Sequence, residues 1–305
     1  MASVIKKRNA KITVGRTRAP RRIYLDYAAA TPVDPEVFSA MKPYFLSVFG
    51  NASSLHTEGM EAKKALETAR AVIARSLGAR EGELIFTSGG TESNNLAIFG
   101  AARALEKEGR KLSDMHFIAS AIEHPSVLDC FTALSSRGAR VSYAPVDGDG
   151  LIDPKKIGAL VNKKTVLVSI GYGNGEIGTI QQIVTIAKEL RRVSRALAVQ
   201  KPLFHTDASQ ALLFLPCVAE KLGVDLMTLD GQKIYGPKGV GALYYRRLPA
   251  QAGGVSLGRL FEGGEQEFSL RPGTENIPLI VGFAKALALL SRPGKREREG
   301  KRLEA

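Results

Sequence analysis

The 305-residue sequence contains no tryptophan, only two cysteines and only four histidines. The cysteines, Cys130 and Cys217, form no CxxC pair, and no group of cysteine and histidine residues has the spacing of a metal site. The sequence therefore predicts neither a disulfide framework nor a metal centre. Such sparse cysteine usage favours a reducing, cytoplasmic environment.

Long hydrophobic runs are also missing. The longest nearly apolar stretch, residues 277–290, contains Lys285 and is too short and too charged to cross a bilayer. No secretory signal pattern is present. With 44% hydrophobic residues, a chain of this length can bury a full core. These features predict a globular protein without a membrane partner.

The net charge of +13 is concentrated at the two ends of the chain. Residues 1–22 contain eight basic residues and no acid, and residues 291–305 contain six basic residues against three glutamates. The body between them is close to neutral, which argues against a nucleic-acid partner. Residues 1–22 are predicted to be a disordered basic extension, with an organellar transit peptide as the open alternative.

From about residue 58, helical and strand-like patterns alternate. Runs rich in β-branched residues, such as ELIFT and TVLVSI, are separated by longer amphipathic segments. This alternation predicts an α/β domain whose central sheet is mostly parallel and flanked by helices. Ligands bind such sheets at the carboxyl ends of the strands, so functional residues are expected there.

The segment TSGGTESNN, residues 87–95, lies between a predicted strand and a predicted helix. Gly90 and its neighbour Gly89 allow a tight turn with free amides, and Thr91 is expected to cap the helix. Free amides and the helix dipole together favour an anion such as phosphate. The alternative is an ordinary strand-to-helix turn.

Two further residues follow predicted strands, Asp207 in HTDASQA and His124 in IEHPSV. A carboxylate at a strand end can hold a cationic ring nitrogen or a metal, and it can equally cap a helix. An imidazole there can stack on a planar ligand, move protons or serve a structural role. Neither motif decides between these alternatives by itself.

Lys233 follows the predicted strand VDLMTL. A lysine partly withdrawn from water has a lowered pKa, and its neutral amine can form a Schiff base with a carbonyl. Lys238, between Pro237 and Gly239, is expected in an exposed turn, so position favours Lys233. Pyridoxal phosphate (PLP) requires a binding site for its phosphate, an acid for its ring nitrogen, an imidazole against its ring and an amine for its aldehyde. The motifs described above offer all four together.

These motifs, in this order, resemble the cysteine desulfurases of the class V aminotransferase family, which are fold-type I PLP enzymes. The resemblance covers roughly residues 23–290, through the motifs IYLDYAAATPVDPEV, FTSGGTESNNLAI, IEHPSVL, NGEIGTIQ, HTDASQA, DGQKIYGPKGVGALYYRR and LRPGTENIPLIVGFAKAL. It implies a PLP-binding large α/β domain at residues 23–262. Residues 263–305 would then contain the RPGT loop and the beginning of a truncated small domain.

The resemblance implies a role for each residue at the ring of the cofactor. Lys233 would hold PLP as a Schiff base and later move the α-proton of the substrate. Asp207 would pair with the pyridinium nitrogen, Gln210 would hydrogen-bond the phenolic oxygen, and His124 would stack on the ring.

At the phosphate, the resemblance implies contacts from Gly90, Thr91 and Gln232. Gln232 stands where the family usually has histidine, and its amide is expected to retain phosphate binding. Asp230 stands where many relatives have serine, and an anion there would disfavour phosphate unless it turned away. Thr274 matches a residue that reaches the phosphate of the neighbouring subunit, which implies a homodimer.

A third departure from the family pattern lies in NGEIG, where Asn174 is followed by Gly175 rather than a second asparagine. The cofactor contact of that second asparagine is therefore expected to be lost or moved. Asn174 is kept as a candidate cofactor-binding residue.

The implied reaction converts L-cysteine to L-alanine and leaves sulfur as a persulfide on an enzyme cysteine. An acceptor protein would take that sulfur for iron–sulfur cluster assembly or thiolation. The family's cysteine lies on a loop beyond the RPGT motif, a region that the sequence does not include. Cys130 and Cys217 are expected to be buried structural thiols instead. The chain is therefore expected to support at most the exchange of the Lys233 Schiff base for one with the substrate, followed by removal of the α-proton.

Two alternatives stay open. One is a different PLP enzyme on the same scaffold, such as a cysteine or selenocysteine lyase or an aminotransferase, which needs no enzyme cysteine. The other is a non-catalytic remnant that pairs with a full-length desulfurase. In either case, the helix at residues 277–290 is expected to expose apolar surface that a second domain would cover.

Overall fold

The computed structural model describes residues 23–247 and 256–290. The predicted extension at 1–22 and the residues at 291–305 lie outside this range. Seven strands form one sheet: β1 (Leu84–Thr87), β2 (His116–Ser120), β3 (Arg140–Ala144), β4 (Thr165–Ser169), β5 (Leu203–Asp207), β6 (Leu226–Asp230) and β7 (Gly241–Tyr245).

Ten α-helices accompany the strands in the described part of the chain, besides three short 3-10 turns. They are α1 (Pro35–Met41), α2 (Pro43–Leu46), α3 (Thr57–Ser76), α4 (Gly90–Lys107), α5 (Pro125–Ser136), α6 (Pro154–Leu160), α7 (Ile183–Ala196), α8 (Ala219–Leu222), α9 (Gln266–Ser269) and α10 (Ile277–Leu290).

The strand order is β1-β7-β6-β5-β4-β2-β3. The neighbouring strands β6, β5, β4, β2 and β3 are parallel, and β7 is antiparallel to both β1 and β6. The predicted α/β fold with a mostly parallel sheet is therefore confirmed. Parallel strands need cover on both faces, and all residues of β2 and β4 are buried accordingly.

The sheet separates two hydrophobic layers. Adjacent residues of β1 belong to different layers. Phe86 lies in the layer that contains residues of α3, α7 and α10, whereas Ile85 lies in the layer that contains residues of α4 and α5. Side chains alternate between the faces of a strand, so each strand contributes to both layers. On the α4 and α5 side, Phe117 and Phe131 pack edge to face with their ring centroids 6.3 Å apart.

Helix α10 packs against α3 and α1. Phe283 and Leu287 are almost fully buried, and Ala288 is the one residue of this helix that is classed as exposed. The expectation that the helix presents uncovered apolar surface is wrong, because α3 and α1 already cover its apolar side chains. The division between domains at residues 262 and 263 stays a prediction.

Within residues 23–247 and 256–290, no helix combines the length and hydrophobicity needed to span a bilayer.

A buried ion pair joins α3 to α9. Arg70 Nη2 lies 2.5 Å from Glu267 Oε1, and Arg70 Nη1 lies 3.0 Å from Glu267 Oε2. Glu267 also accepts a hydrogen bond from the backbone N–H of Phe86 at 2.7 Å. Glu267 has a φ of 47°, a left-handed conformation that costs free energy for a residue with a side chain. These contacts hold α9 against β1 despite that cost.

Replacing Glu267 tests this contact. Glu267→Ala leaves the buried Arg70 guanidinium with only the half-exposed Glu67 as an ion-pair partner, so the free energy of unfolding is expected to fall by about 3–5 kcal/mol. Urea denaturation measures the change. The matched control is Glu262→Ala, which removes the exposed ion pair with Arg259 and is expected to cost less than about 1 kcal/mol. Equal losses for the two variants would contradict the assignment.

Candidate active site

The carboxyl ends of β5 and β6 bring the predicted acid and lysine to the same edge of the sheet. β5 ends at Asp207, which is paired in register with Thr228 of β6. β6 ends at Asp230, and the turn that follows contains Lys233. Parallel strands end at the same edge, so Asp207 and Lys233 lie at the same edge of the sheet for a topological reason.

A backbone carbonyl connects Lys233 with Gln210. Lys233 Nζ donates hydrogen bonds to the carbonyl oxygens of Ala28 at 2.5 Å and Ala29 at 2.8 Å. Gln210 Nε2 donates to the same Ala28 oxygen at 3.0 Å. Lys233 is half-buried, whereas Lys238 is exposed in a turn, as predicted.

Thr31 fixes the segment that supplies these carbonyls. Its hydroxyl donates to the backbone oxygen of Gln232 at 2.7 Å and accepts from the backbone N–H of Tyr235 at 2.8 Å. The N-terminal segment is thereby attached to both sides of Lys233. The position of the lysine thus depends on residues some two hundred positions earlier in the chain.

A chain of polar side chains links Asp207 to His124. Asn94 Nδ2 donates to Asp207 Oδ2 at 2.7 Å and contacts Ser126 Oγ at 2.9 Å. Ser126 Oγ lies 2.8 Å from His124 Nδ1. The backbone N–H of Ser209 donates to the other Asp207 oxygen at 2.9 Å. The carboxylate is therefore held by both of its oxygens.

Sequence reasoning missed Asn94 and Ser126. Asn94 follows Gly90 by four residues, so it lies one helical turn further along the same face of α4. Ser126 follows His124 by two residues. A search for polar side chains one turn beyond each candidate would have found Asn94.

The histidine ring is oriented by the start of α5. The backbone N–H of Ser126 donates to His124 Nδ1 at 3.1 Å, so Nδ1 acts as an acceptor and Nε2 carries the ring proton of the neutral imidazole. Pro125 follows as the first residue of α5. The ring of His124 is exposed at this edge of the sheet.

Helix α4 begins at Gly90, with Gly89 as the capping residue at a φ of 151°. The prediction that Thr91 caps this helix is wrong. Glycine adopts this φ readily, so the helix begins before Thr91, which lies exposed in the first turn.

Asp230 faces the start of α4 rather than turning away from it. Its Oδ2 accepts hydrogen bonds from the backbone N–H of Gly90 at 3.3 Å and from Gln232 Nε2 at 3.0 Å. Its Oδ1 accepts from the backbone N–H of Gln232 at 3.1 Å. The predicted phosphate residues Gly90 and Gln232 are thus brought together by a carboxylate.

Ser209 lies beside the same glycine. Its hydroxyl oxygen is buried without a hydrogen-bond partner among the described residues. A Cβ atom built on Gly90 would lie 3.0 Å from this oxygen. A buried polar atom without a partner is costly, so it marks a place where a ligand or water would be stabilised.

Asn174 stabilises its own turn. Its Oδ1 accepts from the backbone N–H groups of Glu176 at 2.9 Å and Ile177 at 3.1 Å. Its Nδ2 donates to the carbonyl of Ile122 at 3.1 Å. A Cβ built on the adjacent Gly175 would lie 2.7 Å from Gln210 Nε2, so glycine leaves room for that side chain.

Thr274 is exposed, and no hydrogen bond joins it to Gly90, Thr91 or Gln232 within the described residues. Its loop reaches the start of α4 through Arg271, whose Nε lies 2.9 Å from Glu92 Oε1. The structure therefore does not bring Thr274 into the site of its own chain.

Glu123 is a buried acid beside His124 that sequence reasoning did not single out. Its Oε1 accepts from Ser120 Oγ at 2.5 Å and from the backbone N–H of Gly171 at 2.9 Å. Burial raises the pKa of Glu123 to about 7, and the nearby charge of Asp207 adds to this rise.

His205, on β5, has a structural role. It is fully buried, with Nδ1 2.8 Å from Ser169 Oγ and Nε2 3.1 Å from Thr228 Oγ1. Burial lowers the pKa of His205 to about 4, so the ring is neutral at physiological pH.

Both cysteines are buried thiols, as predicted. The Cys130 thiol donates to the carbonyl of Ser126 at 3.1 Å, and burial raises its pKa to about 12. A thiol with so high a pKa carries almost no thiolate and is a poor nucleophile.

Comparisons with known proteins identify the family of the chain. The family model described as Aminotransferase class-V matches residues 23–304, so the chain belongs to the class-V aminotransferase family. One curated relative, Cysteine desulfurase IscS of Dictyoglomus turgidum (strain DSM 6724 / Z-1310), is 45% identical over 269 residues. That match covers 88% of this chain and 64% of the relative, so the chain spans less than two thirds of its length.

Two solved structures share the fold. A NifS-like protein is 36% identical with a TM-score of 0.84, and the match covers 92% of this chain and 72% of the other. The structure of SspA in complex with cysteine is 38% identical with a TM-score of 0.79, and the match covers 92% of this chain and 76% of the other.

The raised pKa of Glu123 predicts a pH dependence of stability. Because this pKa lies above the unfolded value of 4.5, the folded state binds the proton more tightly. The resulting stability is fully present below pH 4.5 and is lost as pH rises through about 7. Relative to Glu123→Gln, the wild type is expected to lose about 3 kcal/mol of unfolding free energy between these limits.

Urea denaturation at a series of pH values measures this difference. Parallel pH profiles for the wild type and Glu123→Gln would show that Glu123 does not carry the effect.

Proposed function

We propose that this chain is the cofactor-binding part of a PLP-dependent cysteine desulfurase. The observation that carries the proposal is the convergence of Lys233, Asp207, Gln210 and His124 at the carboxyl edge of the sheet. Membership of the class-V aminotransferase family and the cysteine desulfurase name of its curated relative support the same activity.

The residues present fit the ring of PLP. Asp207 is held by Asn94 and Ser209 in a position to pair with a protonated ring nitrogen. The side-chain amide of Gln210, held by the Ala28 carbonyl beside Gly175, is the proposed donor to the phenolic oxygen, and the exposed His124 ring can cover the ring face.

At the phosphate end, the buried hydroxyl of Ser209 has no partner and adjoins Gly90. The proposed contacts there are the amide of Gly90, Thr91 in the first turn of α4, and Gln232. Asn174 is proposed to act indirectly, through the loop that adjoins Gln210. This end fits a phosphate less completely, because Asp230 already accepts hydrogen bonds from Gly90 and Gln232.

PLP, when bound, supplies an electron sink for the pair released when the Cα–H bond of an amino acid breaks. Lys233 is the proposed acceptor of that proton through Nζ. To act, Nζ has to give up the hydrogen bonds that it donates to the carbonyl oxygens of Ala28 and Ala29. Asn94 keeps the Asp207 carboxylate oriented while the charge on the ring changes.

The thiol that removes sulfur has to come from outside these 305 residues. Cys130 and Cys217 are the two cysteines of the sequence, and both are buried. We propose L-cysteine as the substrate and an acceptor protein as the final destination of the sulfur. The chain by itself is then expected to remove the α-proton without completing sulfur transfer.

A homodimer is part of the proposal. Several apolar side chains of the N-terminal region are highly exposed, among them Ile23 (79%), Leu25 (84%), Phe49 (72%) and Leu55 (93%). A second subunit would cover such side chains. The exposed Thr274 is available to reach a neighbouring site. A reducing compartment such as the cytoplasm fits two cysteines that remain thiols.

A lyase that eliminates sulfide from the substrate is the second candidate. Elimination needs no enzyme thiol, and the burial of both cysteines favours it over direct desulfuration by this chain alone.

The proposed lysine is tested by two single variants. Lys233→Ala is expected to lose the PLP adduct that borohydride reduces, because among the described residues no other lysine amine shares a hydrogen-bond partner with Gln210. Lys238→Ala is the matched control and is expected to retain the adduct, since Lys238 is exposed. Absorbance after borohydride treatment measures both, and the reverse result would show that Lys238 is the cofactor lysine.

The reaction itself is tested with PLP and L-cysteine in deuterated water. Deuterium is expected to enter the α-position of cysteine, and Lys233→Ala is expected to reduce this exchange by at least about a hundredfold. Proton NMR follows the exchange. Pyruvate and sulfide among the products would favour the lyase, whereas alanine formed with an added thiol favours desulfuration.

A further inference from the structure

We infer that Asp230 is an internal anion that occupies the phosphate end of the proposed cofactor site, so that this chain gains little affinity from a cofactor's phosphate group. The inference rests on the proposed PLP site and deepens it by assigning a residue that sets selectivity between phosphorylated and unphosphorylated ligands.

Three hydrogen bonds define the position of the carboxylate. The amide of Gly90, at the N-terminus of the eighteen-residue helix α4, donates to Asp230 Oδ2 at 3.3 Å. The side-chain amide of Gln232 donates to the same oxygen at 3.0 Å, and its backbone N–H donates to Oδ1 at 3.1 Å. Asp230 thus accepts hydrogen bonds from two of the groups proposed for phosphate.

The surrounding charges do not offset a second anion. Within residues 23–247 and 256–290, no lysine or arginine forms an ion pair with Asp230, and Lys233 Nζ contacts backbone carbonyls instead. Asp230 is only 6% exposed, so water and salt screen its charge weakly. A phosphate at the start of α4 would add like charge beside it, which disfavours binding of the phosphorylated form.

Ser209 adds a polar group to this end of the site. Its buried hydroxyl has no partner among the described residues, and it lies 3.0 Å from a Cβ placed on Gly90, close to where the carboxylate meets the helix. The Asp230 oxygen lies 3.3 Å from the same built atom. One unused donor therefore remains beside an anion that is already in place.

Two substitutions separate the charge of Asp230 from its shape. Asp230→Asn keeps an oxygen for the backbone N–H of Gln232 while removing the charge. Asp230→Ser shortens the side chain and releases the Gly90 amide. Glu61→Gln, at an exposed position on α3, controls for the loss of one negative charge anywhere on the chain.

The test is equilibrium binding of pyridoxine 5′-phosphate and pyridoxine to the whole chain by titration calorimetry. These two probes share a ring, differ in the phosphate, and cannot form a Schiff base with Lys233. Both Asp230 variants are expected to bind the phosphate ester at least about tenfold more tightly than the wild type, because a like charge has been removed. Pyridoxine affinity is expected to change by less than about threefold, and Glu61→Gln is expected to change neither affinity.

Unchanged or weaker binding of the phosphate ester by both folded variants would overturn the inference, with circular dichroism reporting the fold. Failure of PLP to form a Lys233 adduct in the wild type and in both variants is a different result. If no adduct forms but both variants still bind pyridoxine 5′-phosphate about tenfold more tightly than the wild type, the proposed function is refuted and the role of Asp230 stands.

Discussion

Parallel pairing of β5 with β6 is the constraint on which the site depends. Since both strands end at the same edge, Asp207 at the end of β5 and Lys233 just after β6 come to one edge of the sheet, although twenty-five residues separate them in sequence. β7 returns antiparallel beside β6, which places the turn containing Lys233 between two paired strands. The start of α4 completes the edge through its contact with Asp230. The chemistry of the site follows from where these strands end.

Side chains and carbonyls from distant segments then fix the reactive groups. The Ala28 carbonyl accepts from both Lys233 and Gln210, so one backbone oxygen sets two proposed cofactor contacts. Asn94 orients the carboxylate of Asp207 in the same way, because its amide hydrogen-bonds both Asp207 and the Ser126 hydroxyl beside the histidine ring. Each functional group is therefore oriented by a neighbour, which lowers the ordering cost of ligand binding.

The features of the fold and of the site that depend on local sequence pattern, or on where strands end, could be predicted from the sequence. The alternation of strands and helices, the mostly parallel sheet, the exposed turn at Lys238 and the burial of both cysteines follow from periodicity and turn residues. Asn94 and Glu123 were missed because their importance lies in contacts across the fold. The burial of α10 was mispredicted for a related reason: its apolar side chains indicate that something covers them, but not that α3 and α1 do. Asp230 was noticed, yet only the structure shows that it faces the Gly90 amide.

The central claim is that Lys233 is the amine of a PLP site at this edge. It is tested most directly by peptide mapping with mass spectrometry, after the unmodified chain has been incubated with stoichiometric PLP and reduced with borohydride. The account predicts that the pyridoxyl mass is found on the peptide that contains Lys233, and on that lysine within it. A label on Lys238, or one distributed among exposed lysines in proportion to their accessibility, would contradict it.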